Sequence, residues 1–407
     1  MLEFLNNEIV ASVIKSAIVI FALLTAFAYM TLIERRVVAK IQGRLGPNRL
    51  GPLGLLQPVA DAVKMAFKEQ IVPAQAKKAI YLIAPIISVV VALCAFAVVP
   101  IGNNWSGDPG KPSVWDPIIG DVNIGLLWIL AISSLAVYGI VLGGWASGNR
   151  YSLLGALRSA AQMVSYETSL GLALSGALMW AGTLSTVGIV HAQMNNVWFI
   201  LAQPLGFVLY LISGVAEVNR APFDLPEAEQ ELTAGYLTEY SGLRWSLYQM
   251  AEYINMITVS AVVATVYLGG WSFFGLERIP ILSIVFFLIK VAIFLFLFIW
   301  LRATLPRIRY DRLMRLGWQT LLPLAVTNVV ITAVCVAFGL SWYWNFAADG
   351  LVILGVVLYE RSAIKRSSKA VEMQVETGEN REMVLPASVR LAKFEPVKAE
   401  SKAASLN

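Results

Sequence analysis

The segment Pro280–Leu301 has the sequence PILSIVFFLIKVAIFLFLFIWL, a run of 22 residues in which Lys290 carries the only charge. A helix of about 20 apolar residues is what a hydrocarbon core of roughly 30 Å requires. The whole chain has the same character: 58% of its residues are hydrophobic, 14% are charged, and its mean hydropathy is +0.69. Such values are typical of helical membrane proteins. We therefore expect an all-α polytopic membrane protein.

Seven further runs in the chain have a similar length and apolar character. Because the N-terminal stretch has neither a basic region nor a small-residue cleavage site, we interpret the first run as a retained span. The predicted spans are Ile9–Ile33, Ala79–Ile101, Asn123–Trp145, Ala161–Thr183, Val197–Val218, Trp245–Leu268, Pro280–Leu301 and Trp318–Leu340. The prediction is a core of eight transmembrane helices.

The sequence after Leu340 permits two arrangements. An aromatic group at 342–344 is typical of an interfacial belt, whereas residues 351–359 are apolar but too few to cross alone. Either a bent ninth helix crosses here, or the count stays at eight. The predicted organisation is a transmembrane domain over 1–345, the ninth helix over 346–366 and a flexible tail over 367–407.

The distribution of Lys and Arg predicts the orientation of the spans, since cytoplasmic loops collect basic residues. The loops after the first, third, fifth and seventh spans hold 18 basic residues, against 2 in the N-terminal segment and the remaining loops. This asymmetry places the N-terminus outside and the basic loops in the cytoplasm.

A stiff basic turn and an amphipathic helix follow the first span. Residues 43–54 read GRLGPNRLGPLG, in which two Gly-Pro pairs favour a tight, non-helical backbone. Apolar and polar residues then alternate at helical spacing, which predicts a helix lying at the membrane interface. The apolar face holds Leu55, Leu56, Val59, Val63 and Phe67, and the polar face holds Gln57, Asp61, Lys64 and Lys68.

Two roles for this helix stay open. The first is a simple anchor on the membrane surface. The second is the mouth of a cavity reached from the lipid, formed where the polar face meets the end of the first span. The residues of that mouth are Glu34, Arg35, Arg36, Asp61 and Lys64.

Seven carboxylates fall within the 36 residues from Glu217 to Glu252, between two predicted spans. They are Glu217, Asp224, Glu227, Glu229, Glu231, Glu239 and Glu252. An ionised side chain at bilayer depth costs roughly 2.5–3.5 kcal/mol, so such a group indicates a functional site. Asp224 and Glu227 also form a capping box, and for them a purely structural role is the stronger alternative. Together with Glu167, inside the fourth span, the cluster suggests proton handling.

The chain lacks the residues that hold most redox cofactors. One histidine and two isolated cysteines cannot ligate haem iron, an iron–sulfur cluster or a structural zinc. We find no dinucleotide-binding turn and no phosphate-binding loop. Any redox cofactor is therefore expected on another chain. Lys290 needs either a buried carboxylate or an aqueous path, and the Arg-rich segment 302–312 is suited to anionic lipid or to an acidic partner.

Three motifs resemble a known family. Residues 54–64, GLLQPVADAVK, and 222–235, PFDLPEAEQELTAG, are similar to the two signatures of the H-subunit family of NADH:quinone oxidoreductase, respiratory complex I. Members of this family are the quinone-site membrane subunits of that complex. Residues 302–314, RATLPRIRYDRLM, resemble the third recognisable segment of the family. The resemblance extends, in order, over roughly residues 10–340.

The resemblance implies a tilted eight-helix core at the junction of the membrane arm and the hydrophilic arm of a bacterial inner-membrane complex. NADH, FMN and the iron–sulfur clusters would belong to partner subunits, and antiporter-like membrane subunits would be further partners. Quinone, as substrate, would enter beside Glu34, Arg35, Arg36, Asp61 and Lys64 and reach a chamber beside Arg220 and Phe223. The acidic proton conduit carried over from the family comprises Glu167, Glu217, Glu227, Glu229, Glu231, Glu239 and Glu252.

Three alternatives remain at this level. The membrane subunit of an energy-converting hydrogenase would use the same helices and acids without a quinone cavity. A stand-alone cation/proton antiporter would use the acids for ion exchange, although we find no convincing internal repeat of the kind such proteins contain. A membrane anchor for soluble dehydrogenase subunits would leave the acids with structural roles only.

Overall fold

The computed structural model describes residues 8–103, 115–224, 235–273, 275 and 279–376. Within these ranges the chain is helical and contains no strand, as expected for an all-α membrane protein. Two compact units are distinguished, Met1–Gly350 and Leu351–Asn407.

Twelve helices are named here for the described residues. In chain order they are α1 Glu8–Ile41, α2 Gln57–Phe67, α3 Lys78–Phe96, α4 Gly125–Ala146, α5 Arg150–Ala181, α6 Thr186–Asn195, α7 Phe199–Ala202, α8 Pro204–Glu217, α9 Gly242–Tyr267, α10 Pro280–Thr304, α11 Tyr310–Ala337 and α12 Trp342–Glu376. A π-helical turn, Leu316–Leu321, lies within α11, and a short 3₁₀ turn, Gly235–Leu237, precedes α9.

The described helices agree with most of the predicted spans. Seven of them are long and apolar enough to cross a membrane, and an eighth is added if α5 and α6, which meet at 56°, count as one span. The fourth span begins earlier than predicted, at Arg150, because the side chain of Asn149 accepts a hydrogen bond from the Tyr151 amide and caps the helix there.

The predicted fifth span, Val197–Val218, is not a continuous helix. It is divided into α7 and α8 at Gln203, which has φ −139° and ψ 67°. The cause is Pro204, whose ring disfavours a helical conformation in the preceding residue. The 14 residues of α8 are too few to span a bilayer alone.

The sequence after Leu340 forms a helix of its own. The part Trp342–Tyr359 of α12 is long and apolar enough to cross, so the ninth-helix arrangement has a helix to support it. This helix begins four residues before the predicted start at 346 and continues to Glu376. Residues 377–407 lie outside those described, so the flexible tail over 367–407 stays a prediction.

The helix α9 is the centre of the bundle. In its most apolar window 89% of the residues are buried, against 11% for α1, whose side chains remain available to lipid. Beside α9 lies a core cluster in which four tyrosines participate. They are Tyr81, Tyr236, Tyr240 and Tyr248.

Lys290, on α10, has an environment that sequence patterns did not indicate. Its Nζ donates hydrogen bonds to the carbonyl oxygens of Leu268, Gly270 and Ser272 at 2.6, 2.9 and 2.6 Å. The ammonium also lies 4.7 Å from the ring centre of Trp198. Main-chain carbonyls that follow α9 thus stabilise this charge, and the carboxylate or water path expected from the sequence stays a prediction.

A close helix contact positions the 3₁₀ turn that carries Tyr236. A Cβ atom at Gly155 on α5 would lie 2.5 Å from the Cα of Gly235, so only glycine fits there without moving the backbone. We expect Gly155→Ala to lower the free energy of unfolding by about 1–3 kcal/mol through overpacking. The thermal unfolding midpoint of the purified complex measures this effect.

Gly171→Ala is the matched control, because Gly171 lies on the same helix and a Cβ there would meet nothing within 4 Å. Alanine should be neutral or slightly stabilising at that position. Equal losses in both variants would contradict the steric explanation for Gly155.

Candidate functional site

An open cleft of about 410 Å³ lies where α1, the Gly-Pro loop, α9 and α10 meet. The residues lining it are Glu34, Arg35, Val38, Arg44, Pro47, Tyr253 and Arg302. The cleft therefore combines one buried carboxylate with several guanidinium groups, a strongly charged lining for a chain so rich in apolar residues.

Glu34 is the residue on which the elements of the cleft converge. It is buried, and its carboxylate accepts hydrogen bonds from Tyr253 Oη at 2.6 Å, from Arg220 at 3.5 Å and from Arg302. The guanidinium of Arg220 also stacks over the Tyr253 ring at 4.1 Å. Four segments, α1, the end of α8, α9 and α10, are thus joined through one carboxylate.

The other residues predicted at the mouth differ in their contacts and exposure. Arg35 forms an exposed ion pair with Asp61 at 2.7 Å, which joins α1 to α2. Arg36 donates to the Pro47 carbonyl at 3.3 Å and so holds the Gly-Pro loop. Lys64 is exposed.

The predicted amphipathic helix is present as α2. Its apolar residues Val59, Val63 and Phe67 are exposed, so no part of the described chain covers this face. An uncovered apolar face next to the cleft is what an interfacial helix presents to lipid.

Phe223, predicted in the chamber, is buried away from the cleft. Its ring packs against Tyr166 at 5.9 Å, and its carbonyl accepts a hydrogen bond from Gln162 Nε2 at 2.8 Å. Arg220 therefore reaches the cleft wall through Glu34 and Tyr253, whereas Phe223 anchors the same turn to α5.

Two internal cavities adjoin one another inside the bundle. The larger, about 40 Å³, has Glu217, Ser133 and Asn255 among its polar lining residues. The smaller, about 30 Å³, is lined by Glu217 again and by Glu252. The residues common to both are Ala136, Met163, Glu217, Val218 and Asn255. The two cavities therefore adjoin at Glu217, and Glu252 lines the smaller one.

Glu217 is enclosed by protein yet keeps accessible surface, because it opens into these cavities. Ser133 lines the same cavity, where its hydroxyl donates to the Leu130 carbonyl at 3.0 Å, and Glu167 lies close enough for the two carboxylates to repel each other. The expected role of Glu167 and Glu217 in one chain of proton sites stays a prediction.

A series of tyrosines leads from Glu252 towards Glu239. Tyr236 Oη donates to Glu252 at 3.3 Å, and the ring of Tyr248 lies 5.2 Å from that of Tyr236 and 5.0 Å from that of Tyr240. Burial raises the pKa of Tyr240 to about 12, so its hydroxyl stays protonated at neutral pH.

Tyr81 completes the series. Its ring stacks on Tyr240 at 4.3 Å, and its hydroxyl donates to the main-chain oxygen of Glu239 at 2.6 Å. The Glu239 carboxylate itself turns towards a surface cleft, where it accepts from Asn149 at 2.8 Å. Glu239 is therefore separated from the internal cavities by aromatic side chains.

Part of the predicted acid cluster lies outside the described residues. Glu227, Glu229 and Glu231 fall within 225–234, as does the helix expected to begin after Asp224. Their place in the conduit remains a prediction.

Several site residues were not predicted. Ser133, Asn255 and Tyr253 have no local sequence signal, since isolated polar residues in apolar helices are common. Arg302 belonged to a segment expected to bind lipid or a partner, but its guanidinium turns inward to Glu34. Among the described residues, no group of three or more His, Cys, Asp or Glu side chains could hold a metal ion.

Buried acids, internal cavities and a charged cleft identify the chain as a polytopic membrane protein with ionisable side chains inside its helical bundle. Comparison with known proteins identifies the family. The sequence model described as NADH dehydrogenase matches residues 14–333. The chain is 52% identical to the H subunit of NADH-quinone oxidoreductase from Deinococcus deserti, over 90% of this chain and 94% of that protein.

A second relative, NADH-quinone oxidoreductase subunit 8 of Thermus thermophilus, is 49% identical over 88% of this chain and 96% of its own length. The chain belongs to the H-subunit family of NADH-quinone oxidoreductase, respiratory complex I, and is part of an oxidoreductase complex. Membership implies that other subunits assemble with it and that quinone is involved. It also favours this class over the hydrogenase, antiporter and anchor alternatives.

Proposed function

We propose that the chain forms the quinone-access cleft of the complex and an acidic proton conduit that couples quinone reduction to proton pumping. The cleft at Glu34 would receive the quinone headgroup. The cavities at Glu217 and Glu252 would hold the exchangeable protons. Partner subunits would supply NADH oxidation, FMN and the iron–sulfur clusters.

The properties of the cleft support the first half of the proposal. Its volume of about 410 Å³ lies within the 300–1,000 Å³ typical of small-molecule sites. The helix α2 is joined to the lining residue Arg35 through Asp61, and its exposed apolar face would let a lipid-soluble substrate approach along the membrane. Arg302 and Tyr253 offer hydrogen-bond donors to a quinone carbonyl or to the anion formed on reduction.

The coupling proposal rests on two pairs of consecutive residues, in each of which one residue lines the smaller cavity and the other lies at the cleft. Asn219 lines the smaller internal cavity, and Arg220 binds Glu34 at the cleft. On α9, Glu252 lines that cavity, and Tyr253 lines the cleft. A change of charge at the cleft therefore occurs directly beside residues that line the cavity, including Glu252.

The residues of the cleft suggest a mechanism for the proposed coupling. Negative charge arriving in the cleft would compete with Glu34 for the Arg302 guanidinium and the Tyr253 hydroxyl. The field at Glu252 and Glu217 would then change, and protons would redistribute through the polar groups lining the cavities. Antiporter-like partner subunits would receive the change.

We propose that the basic loops, and with them the cleft mouth, lie on the cytoplasmic face of the bacterial cell membrane, with the N-terminus outside. The excess of 18 basic residues over 2 supports this orientation. The surface cleft at Glu239, about 510 Å³, lies on loops of the same side and suits a docked partner chain.

Replacing Glu217 or Glu252 by Gln tests the conduit. We expect quinone-coupled proton pumping in liposomes to fall by roughly tenfold or more, because an amide cannot bind and release a proton. Pumping is measured as external pH change per NADH oxidised by the assembled complex.

Glu69→Gln is the matched control, since Glu69 is exposed in the loop after α2 and lies away from the cavities. It should leave the pumping ratio unchanged. Normal pumping in both Glu217→Gln and Glu252→Gln would refute the conduit.

A further inference from the structure

A second buried polar cluster surrounds the break between α7 and α8. Its side chains have no accessible surface and come from four segments: the break itself, α9, α11 and the first turns of α12. The members are Gln203, Tyr267, Asn328, Thr332, Asn345 and Asp349. This cluster lies at the opposite end of α8 from Glu217, about 21 Å away for 14 helical residues.

Hydrogen bonds hold the frame of the cluster. Gln203 Nε2 donates to Thr332 Oγ1 at 2.9 Å, and Asn345 Nδ2 donates to the Ala202 carbonyl at 2.8 Å. Tyr267 donates its hydroxyl proton to the Ala173 carbonyl at 3.2 Å, which leaves its oxygen as an acceptor. The amide oxygens of Gln203 and Asn345 and the hydroxyl oxygen of Tyr267 can therefore still accept a hydrogen bond or bind a cation.

The amides of Gln203 and Asn328 come together where two glycines make room. A Cβ atom at Gly176 would lie 3.0 Å from both Asn328 Nδ2 and Gln203 Oε1. A Cβ atom at Gly206 would lie 3.1 Å from Asn328 Nδ2 and 3.4 Å from the Tyr267 hydroxyl. Side chains from three segments thus converge on one small region.

Asp349 closes the cluster. Its carboxylate lies by the backbone amide of Leu205 and within electrostatic range of Tyr267 and Cys335. These neighbours carry no positive charge at neutral pH. The helix end at Leu205 is the one partial positive charge among them.

The cluster contains polar atoms that no group among the described residues satisfies with normal hydrogen-bond geometry; the Leu205 amide approaches the Asp349 carboxylate without meeting that geometry. Buried polar atoms in native proteins are nearly always paired with protein or ordered water, so these atoms indicate a bound ion or water. Without a hydrogen-bond partner are Gln203 Oε1, Asn328 Oδ1 and Nδ2, Asn345 Oδ1, and Asp349 Oδ1 and Oδ2. Five of the six are oxygens, and one carboxylate supplies a single negative charge.

We propose that this cluster binds one sodium ion. Amide, hydroxyl and carboxylate oxygens are the ligands of hard cations, and a monovalent ion matches the single charge of Asp349. Complete burial favours a small, dehydrated ion. In transporters, sodium binds where a helix is interrupted within the membrane, and α7 and α8 are interrupted at Gln203. The site is separate from the acid cavities and does not depend on their proposed role.

The test measures sodium binding by the purified complex in detergent, with choline replacing sodium in the buffer. Equilibrium dialysis with radioactive sodium should show one ion fewer per complex in Asp349→Asn than in the native protein. Sodium chloride should raise the unfolding midpoint above that in choline chloride at equal ionic strength, and Asp349→Asn should lose this difference.

Asp121→Asn is the matched control, because Asp121 pairs with Ser185 at 2.7 Å outside the cluster. It should keep both the bound ion and the sodium-dependent shift. Unchanged sodium binding in Asp349→Asn would overturn the proposal.

Infrared difference spectra of the native complex decide the matter if Asp349→Asn fails to assemble. A carboxylate band that shifts when sodium replaces choline supports the site. A protonated carboxyl band indifferent to sodium would instead assign a proton to Asp349 and overturn the proposal.

Discussion

Replacing Glu34 by Gln is expected to lower the free energy of unfolding by about 3–5 kcal/mol, the range for breaking a buried ion pair. The substitution takes the negative charge from between Arg220 and Arg302 while keeping the side chain's size. Arg220 is buried, so solvent screens the resulting repulsion poorly. The midpoint of thermal unfolding and the rate of quinone reduction should both fall.

Asp61→Asn is the matched control at the same cleft, since the Arg35–Asp61 pair is exposed. Exposed pairs contribute about 0–1 kcal/mol, so stability should barely change. In the double variant Glu34→Gln with Arg220→Gln, much of the loss should be recovered, because the two groups are coupled. If Asp61→Asn were as damaging as Glu34→Gln, burial would not be the deciding factor.

Replacing Lys290 by Met should destabilise the chain by about 2–4 kcal/mol. Three main-chain carbonyls at the end of α9 would lose their donor, at about 1–3 kcal/mol each, and relief from burying an ammonium offsets part of this. The turn itself cannot adapt easily, since Gly269 and Gly270 already have positive φ values of 71° and 52°. Thermal unfolding of the complex measures the loss.

Lys15→Met provides the comparison within another apolar helix. Lys15 donates to the carbonyls of Ile118 and Asp116 at 2.8 and 3.4 Å but keeps accessible surface. Water can replace the donor there, so the change in midpoint should be smaller. A larger effect at Lys15 than at Lys290 would mean that the three-carbonyl arrangement contributes little.

Hydropathy was sufficient to predict most helices, because bilayer thickness imposes a length that an apolar run displays directly. It failed where polar residues interrupt a run for a structural reason. Asn345 and Asp349 lower the apolar character of the last helix, yet both are buried against the break at Gln203. From sequence alone the ninth helix could not be distinguished from a surface segment.

The candidate site was predictable in its acids and less so in their partners. Glu217, Glu252 and Glu167 are conspicuous because charge is rare in apolar helices, and the structure brings them to connected or neighbouring positions. The role of Glu34 depends on Arg302, which is 268 residues away, and no local pattern reveals that pair. Glu239 was grouped with the acids by proximity in sequence, but aromatic rings separate it from the cavities.

The central position of α9 sets the physical form that communication across it can take. Because α9 is packed against other helices on nearly every side, it cannot slide or tilt unless those helices also move. Electric fields need no such movement: at an effective dielectric constant of ~20, one unit charge acts on another ~10 Å away with about 1.7 kcal/mol. That energy alters the ratio of the protonated to the deprotonated form of a proton site more than tenfold. The proposed coupling between the cleft and the acidic cavities can therefore act through the electric field while α9 stays in place.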